Sequence, residues 1–287
     1  MLRAAGLVLG LLGTAAVAAP GAHAADPSAA ALQVALHQRG LYVGTIDGVR
    51  GPGTARAVAR LQRARGLVVD GIPGPATRRA LGWRGRPRLG TRVLHARQRG
   101  WDVAALQFLL GRAGFPSGPV DGRLGARTAT ALRRFQAWAG VGADGLAGPG
   151  TLAALRRPPP RSPLLLRAPV LAPVGDVFGP RGTWFHPGLD YVADAGAPVT
   201  AAGGGCVARA GSDSGGYGNL VVLRHRLGLT SWYAHLSAIA VRAGACVAAG
   251  ALVGRVGATG HATGPHLHFE LRVRGAAVDP RTAGLAR

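Results

Sequence analysis

Three short patterns in the last third of the chain gather residue types that bind and work a metal ion. They are His186-Pro187-Gly188-Leu189-Asp190, Tyr233-Ala234-His235-Leu236 and Gly264-Pro265-His266-Leu267-His268-Phe269. Zinc takes neutral imidazole nitrogen and carboxylate oxygen, and a catalytic site keeps one position open for water. His266 and His268 are two residues apart, so on a strand they project from one face. One of them can ligate a metal while the other reaches a bound water. The glycine and proline beside His186 predict a turn or a strand start, not the helical H-E-x-x-H arrangement. The chain's single glutamate, Glu270, makes that exclusion firm. It lies two residues past His268 and shares its face. A histidine base is the simpler reading, and His235 and His266 are available for it.

The start of the chain reads as a secretory signal over residues 1–24. Arg3 is its positive end, Ala4 to Ala19 its apolar run, and Ala22-His23-Ala24 its cleavage site. The run is short for a membrane span, which needs about 20 residues, so no stable span is expected after cleavage. In an exported chain the even cysteine count predicts a disulfide between Cys206 and Cys246, whose flanks are alike and read as strand starts. The net charge is +22 and comes from arginine alone, mostly within residues 25–167. An exported protein of that charge is expected to meet an anionic cell wall, not nucleic acid.

The N-terminal half repeats itself. Leu32 to Leu81 aligns without gaps on Leu106 to Leu155, with 21 identities in 50 positions. Each copy reads as three short helices. Thr54 and Thr128 are placed to cap the second helix, Pro75 and Pro149 open the third, and Asp-Gly pairs mark the turns. Residues 157–168 are proline-rich and predict a stiff spacer between independently folding halves. Beyond it, short β-branched runs alternate with glycine turns, as in an antiparallel sheet domain.

The repeats resemble the peptidoglycan-binding-like domain, a small three-helix module. The matching residues are Leu32-Gln33, Gly40, Asp47-Gly48, Gly51, Thr54, Gln62, Asp70-Gly71 and Thr77, with their counterparts in the second copy. The resemblance covers residues 28–82 and 90–156. Residues 169–287 resemble the lysostaphin-type or LytM-type zinc metallopeptidases. The shared motifs run from Phe178-Gly179-x-Arg181 and His186-x-Gly188-x-Asp190 through Gly216-Tyr217-Gly218-Asn219 and Tyr233-Ala234-His235-Leu236-Ser237. They end with Gly257-x-Thr259-Gly260 and Thr263-Gly264-Pro265-His266-Leu267-His268-Phe269-Glu270. That family cleaves peptide bonds in peptidoglycan stems or cross-bridges.

The resemblance implies an α+β multidomain chain, with two helical modules ahead of an antiparallel β-sheet peptidase. It makes His186, Asp190 and His268 the ligands of one Zn2+ per chain, and His235 and His266 the catalytic pair. His266 is read as the base and His235 as the transition-state partner, with the exchanged assignment left open by the sequence. Glu270 is expected to orient a ligand histidine, Tyr233 to pack beside the site, and His261 to lie in solvent. The whole reads as a secreted, monomeric, zinc-dependent endopeptidase of the cell wall. Its partners are peptidoglycan and other anionic wall polymers. The alternative is a catalytically silent wall-binding regulator. Zinc amidases, D-Ala-D-Ala carboxypeptidases and glycosidases fit poorly, because their sites call on carboxylates this chain lacks. An L,D-transpeptidase needs a cysteine motif that neither Cys206 nor Cys246 supplies.

Overall fold

The computed structural model describes residues 25–285; the secretory signal expected over residues 1–24 lies outside the described residues. Six helices come first: α1 (Pro27–His37), α2 (Pro52–Ala64), α3 (Pro75–Ala80), α4 (Trp101–Arg112), α5 (Ala126–Ala139) and α6 (Pro149–Leu155). Among the described residues no helix is long and apolar enough to cross a membrane. Pro52, Pro75 and Pro149 sit in the first turns of their helices, where the missing N–H costs nothing.

Thr54 and Thr128 do not cap helices. The N-cap positions belong to Gly51 and Gly125, and the threonines serve a buried knot that occurs four times. In the first, Gln33 Nε2 donates to Asp47 Oδ1 at 2.7 Å, to the Val49 carbonyl at 3.0 Å and to Thr54 Oγ1 at 3.3 Å, while Gln33 Oε1 accepts the Gly48 N–H at 2.9 Å. Gln62 makes the same set with Asp70, Ile72, Thr77 and Gly71. Gln107 repeats it with Asp121, Arg123, Thr128 and Gly122, and Gln136 with Asp144, Leu146, Thr151 and Gly145. Each glutamine is buried and fully partnered, which removes the cost of hiding an amide. The glycine after each aspartate has φ between 70° and 77°, so the Asp-Gly pair is the turn that presents these groups.

The two repeats share an interior. Helices α1 and α4 are buried nearly all round and pack on each other. One cluster joins Leu32, Leu36 and Leu61 of the first repeat to Trp101 and Phe108 of α4. The other face of α4 supplies Leu106 and Leu110 to a core with Phe115, Leu132 and Phe135. A helix apolar on every side cannot stand in water, so the repeats form one helical body.

The remainder is β structure: β1 (Gly179–Arg181), β2 (Trp184–His186), β3 (Leu189–Tyr191), β4 (Pro198–Thr200), β5 (Gly205–Asp213), β6 (Gly218–Arg224), β7 (Leu229–Leu236), β8 (Ala238–Ile239), β9 (Cys246–Val247), β10 (Leu252–Arg255), β11 (Leu267–Val273) and β12 (Ala276–Val278). The main sheet runs β12-β11-β7-β6-β5-β9, all antiparallel, and β3 pairs with the first half of β11. A second sheet, β4-β10-β8, covers one face of the first. Between them Val199, Val253, Val221, Tyr233 and Phe269 form the main core. Cys206 and Cys246 face each other across β5 and β9 and are joined by a disulfide.

Residues 157–168 are extended but do not stand free. Ser162 N–H donates to Thr282 Oγ1, Leu166 N–H to the Ala283 carbonyl and Arg167 N–H to the Ala202 carbonyl. Leu164 and Leu166 pack on the sheet core. Leu164 and Leu166 explain the difference from a free spacer, because apolar side chains next to a core are buried against it, while Leu165 between them stays exposed.

Candidate active site

Strand register assembles the site on the face of the main sheet that turns away from its core. His268 on β11 lies opposite Asp190 on β3 and opposite Ala234 on β7. Period-two alternation puts His266 and Glu270 on the same side as His268. Between His186 and Asp190, Gly188 crosses β11 so closely that a Cβ would collide with the Phe269 carbonyl. Only glycine lets the turn bring both residues to that strand.

His235 arrives by a different device. Its neighbour Tyr233 faces the core, and regular alternation would send His235 inward as well. Instead His235 has φ 62°, a left-handed conformation uncommon for any residue but glycine. The ring is thereby aimed at the site, 4.7 Å from the His266 ring and 5.8 Å from the His268 ring, centre to centre. Backbone strain held in place by the surrounding fold is a mark of functional positions.

His186 Nε2, Asp190 Oδ1 and His268 Nδ1 converge. The two nitrogens are 3.1 Å apart, His186 lies 3.1 Å from the carboxylate oxygen, and His268 lies 2.7 Å from it. The outer nitrogens are occupied. His186 Nδ1 donates to the Val177 carbonyl at 2.9 Å, and His268 Nε2 donates to Glu270 Oε1 at 3.0 Å. Those bonds fix the tautomers and leave a lone pair on each inner nitrogen. Two lone pairs and a carboxylate at this separation repel one another unless a cation stands among them. All three donor atoms lie within 4.8 Å of one another, so the set fits a metal such as zinc.

Without such a cation, protons must carry the charge. Burial disfavours a charged His268, but the hydrogen bonds it donates to Asp190 and Glu270 outweigh it and push its pKa up to about 9. Burial likewise opposes the Asp190 carboxylate, and the two histidines overcome it, holding its pKa well below the usual range. Glu270 is fully buried, yet Arg272 and His268 bring its pKa down to about 2. Arg272 Nε meets Glu270 Oε2 at 2.7 Å, Tyr217 donates its hydroxyl to Glu270 Oε1 at 2.7 Å, and the Arg272 guanidinium lies 3.8 Å from the Trp232 ring centre. On the other side Arg181 touches both Asp176 and Asp190, at 2.7 and 3.3 Å.

His235 and His266 flank this cluster. Each donates Nδ1–H to a backbone carbonyl, that of Thr259 at 2.8 Å and that of Gly264 at 2.9 Å. Each therefore keeps Nε2 free. His266 Nε2 stands 3.9 Å from Asp190 Oδ1. Burial first, then the neighbouring histidines, lower the pKa of His235 and keep it neutral near pH 7. The cluster opens into a groove of about 870 Å³, whose walls include Arg181, Tyr217, His261 and Thr263 and no residue of the helical body.

Tyr233 is not beside the site. It is buried in the sheet core, where its hydroxyl accepts the Ala202 N–H at 2.8 Å and the Ser231 hydroxyl at 2.9 Å. The tyrosine at the site is Tyr217, from the β5–β6 turn, and sequence alternation on β7 could have told the two apart. His261 is exposed but lines the groove. Arg181 showed itself only through the Phe178-Gly179-x-Arg181 motif, and Arg272 carries no signal in a sequence with 34 basic residues.

Residues 184–280 match peptidase family M23, and residues 26–81 and 99–155 match the putative peptidoglycan binding domain. The DD-carboxypeptidase/endopeptidase Mpg of Neisseria meningitidis is 46% identical over 104 residues, which is 36% of this chain and 24% of that protein. The peptidoglycan DD-endopeptidase ShyC of Vibrio cholerae is 42% identical over 100 residues, 35% of this chain and 23% of that protein. The chain thus spans about a quarter of the length of the curated relatives it matches. Among solved structures, the catalytic domain of the antimicrobial peptidase lysostaphin from Staphylococcus simulans is 36% identical. It covers 38% of this chain and 90% of its own, with a TM-score of 0.37.

Proposed function

The chain carries a peptidase family M23 domain behind two peptidoglycan-binding domains, and from that premise we propose a zinc-dependent peptidase that acts on peptidoglycan outside the cytoplasm. Its substrates are the stem peptides or cross-bridges of the wall, and the helical body contributes wall binding. The observation that carries this reading is the convergence of His186 Nε2, Asp190 Oδ1 and His268 Nδ1 on the floor of an open groove.

His186, Asp190 and His268 would hold one zinc ion, with Glu270 holding His268 in the ligating tautomer. Zinc bound there supplies Lewis acidity and brings the pKa of a coordinated water to about 7. The residues do the rest. His266, with Nε2 3.9 Å from Asp190 Oδ1, takes the proton of the attacking water as general base. His235 offers its own Nε2 from the other side. The proton taken up by His266 passes to the leaving amine, and His235, when it has taken a proton from solvent, donates to the developing oxyanion. Arg181 holds Asp190 from outside the cluster. The open groove suits an extended peptide.

The name of the Neisseria relative includes a DD-carboxypeptidase, so the lack of a second glutamate does not exclude trimming of stem ends by this same site. Mass spectrometry of fragments released from purified peptidoglycan separates the two activities. Endopeptidase action yields monomers from cross-linked dimers, and carboxypeptidase action releases a terminal residue. Intact dimers and intact stems after treatment with the zinc-loaded protein would refute the proposal.

A further inference from the structure

Among the described residues, the β1–β2 hairpin pairs with no other strand. An isolated two-stranded ribbon is marginal in water, so something else must fix this one. Its tip presents two adjacent carbonyls to the helical body. The Gly182 carbonyl accepts the Ile46 N–H at 2.9 Å, and the Thr183 carbonyl accepts the Val120 N–H at 2.7 Å. Ile46 and Val120 are equivalent positions of the two repeats, each one residue ahead of its Asp-Gly turn. Each repeat therefore grips one carbonyl with an N–H that its glutamine knot holds still. Behind the tip, Phe185 of β2 lies against Gly111 of α4, where a Cβ would stand 2.9 Å from the ring.

The contact extends to the main sheet. Ala277 N–H donates to the Gly114 carbonyl at 3.0 Å, and the Trp138 indole N–H donates to the Val273 carbonyl at 3.2 Å. Ala276 belongs to the core of the second repeat. The hairpin in turn carries chemistry, since β2 ends in His186 and β1 ends in Arg181, which touches Asp190.

We propose that the two repeats clamp the β1–β2 hairpin and so position His186 and Arg181. Ile46, Val120 and Gly111 are then positioning residues, and the binding modules are a working part of the catalytic unit. This rests on reading His186 as a metal ligand. A displacement of about 1 Å at such a site can cost about 100-fold in rate.

The test is Gly111→Leu in the full-length protein. The side chain forces Phe185 away from α4 without touching the metal ligands. The expected result is kcat on a small soluble stem peptide lowered by about tenfold or more, with KM nearly unchanged and faster loss of zinc to a chelator. Adding Phe185→Ala should restore part of kcat, because it reopens the space. Gly142→Leu, at an exposed position of the second repeat with open space around it, should change nothing. Hydrogen exchange over residues 179–186 should quicken in Gly111→Leu, a readout that needs neither zinc nor turnover. Should Gly111→Leu fail to fold, the wild-type chain cut once within residues 157–163 gives the answer. Its halves should co-elute and stay active. Wild-type kcat, zinc retention and exchange in Gly111→Leu would overturn the clamp. So would a cut chain whose halves separate while the β half keeps full activity. A wild-type protein without zinc or activity, but with quickened exchange in Gly111→Leu, would sink the peptidase reading and leave the clamp standing.

Discussion

Replacing Glu270 by glutamine changes one atom at a fully buried position and should cost more than any other isosteric change in the β half. Glu270 is acceptor for three donors: Tyr217 hydroxyl, His268 Nε2–H and Arg272 Nε–H, at 2.7, 3.0 and 2.7 Å. A glutamine can turn its oxygen to only one side. Facing His268 and Tyr217, it sets its NH2 against the Arg272 guanidinium and leaves that cation without its partner. Facing Arg272, it sets NH2 against His268 and forces the proton to Nδ1, which destroys the ligating lone pair. Breaking a buried ion pair from one side costs about 3–5 kcal/mol, which at this size is a fall of about 10 °C in melting temperature. Loss of a residue that orients a ligand lowers metal affinity about 10–100-fold, removing a further ~1.4–2.7 kcal/mol of zinc-linked stability. The pH sign follows from the same bonds. Burial raises the Glu270 pKa, but Arg272 and His268 bring it down to about 2 from 4.5. Its stabilisation is therefore complete above pH 4.5 and is lost as pH falls toward 2, and the variant should lack that acid limb. Thermal unfolding of zinc-free and zinc-loaded samples across pH, with chelator competition for affinity, measures all three effects. A variant with wild-type zinc affinity and a melting temperature within about 2 °C of wild type would refute the reasoning.

Other outcomes follow from the same geometry. His268→Ala should lose both zinc and activity, whereas His235→Ala and His266→Ala should lose activity and keep most of the zinc; metal content and turnover on the same samples decide it. In zinc-free protein, His268 carries its proton up to about pH 9, well above the 6.5 of a free imidazole, because Asp190 and Glu270 outweigh its burial. That contribution is whole below pH 6.5 and lost as pH rises through 9, and zinc loading near pH 7.5 should expel about one proton, readable by titration calorimetry in buffers of different ionisation enthalpy. Gln107→Leu strips partners from Asp121, Thr128 and two carbonyls and should destabilise the helical body by about 3 kcal/mol or more, visible in denaturant unfolding, while leaving the sheet's near-ultraviolet dichroism largely in place.

Much of this was legible from residue order alone. Period-two spacing put His266, His268 and Glu270 on one strand face, and the repeat showed itself through its glycines and aspartates. The Cys206–Cys246 link followed from matching flanks. What escaped notice depended on three-dimensional closure. The left-handed turn at His235 is a backbone event that breaks alternation without changing residue type. Thr54 looked like a helix cap because a cap and a knot both want a hydroxyl ahead of an apolar run; only the distant Gln33 distinguishes them. The proline-rich segment suggested free halves, yet the halves meet through backbone groups at Ile46, Val120, Gly182 and Thr183, which have no side-chain signature. Gly111 and Gly114 have no sequence signature of their own, since their meaning lies in Phe185 and Ala277 on the other side.

Everything proposed for the groove depends on His186, Asp190 and His268 holding a zinc ion that makes the chain a peptidoglycan peptidase. The most direct measurement strips the purified full-length protein of metal, titrates zinc back, and follows cleavage of a cross-linked stem-peptide dimer alongside bound zinc. Cleavage should be absent without metal and should rise linearly to saturation at one zinc per chain. Full cleavage by metal-free protein, or saturation of one zinc with no cleavage at all, would contradict it.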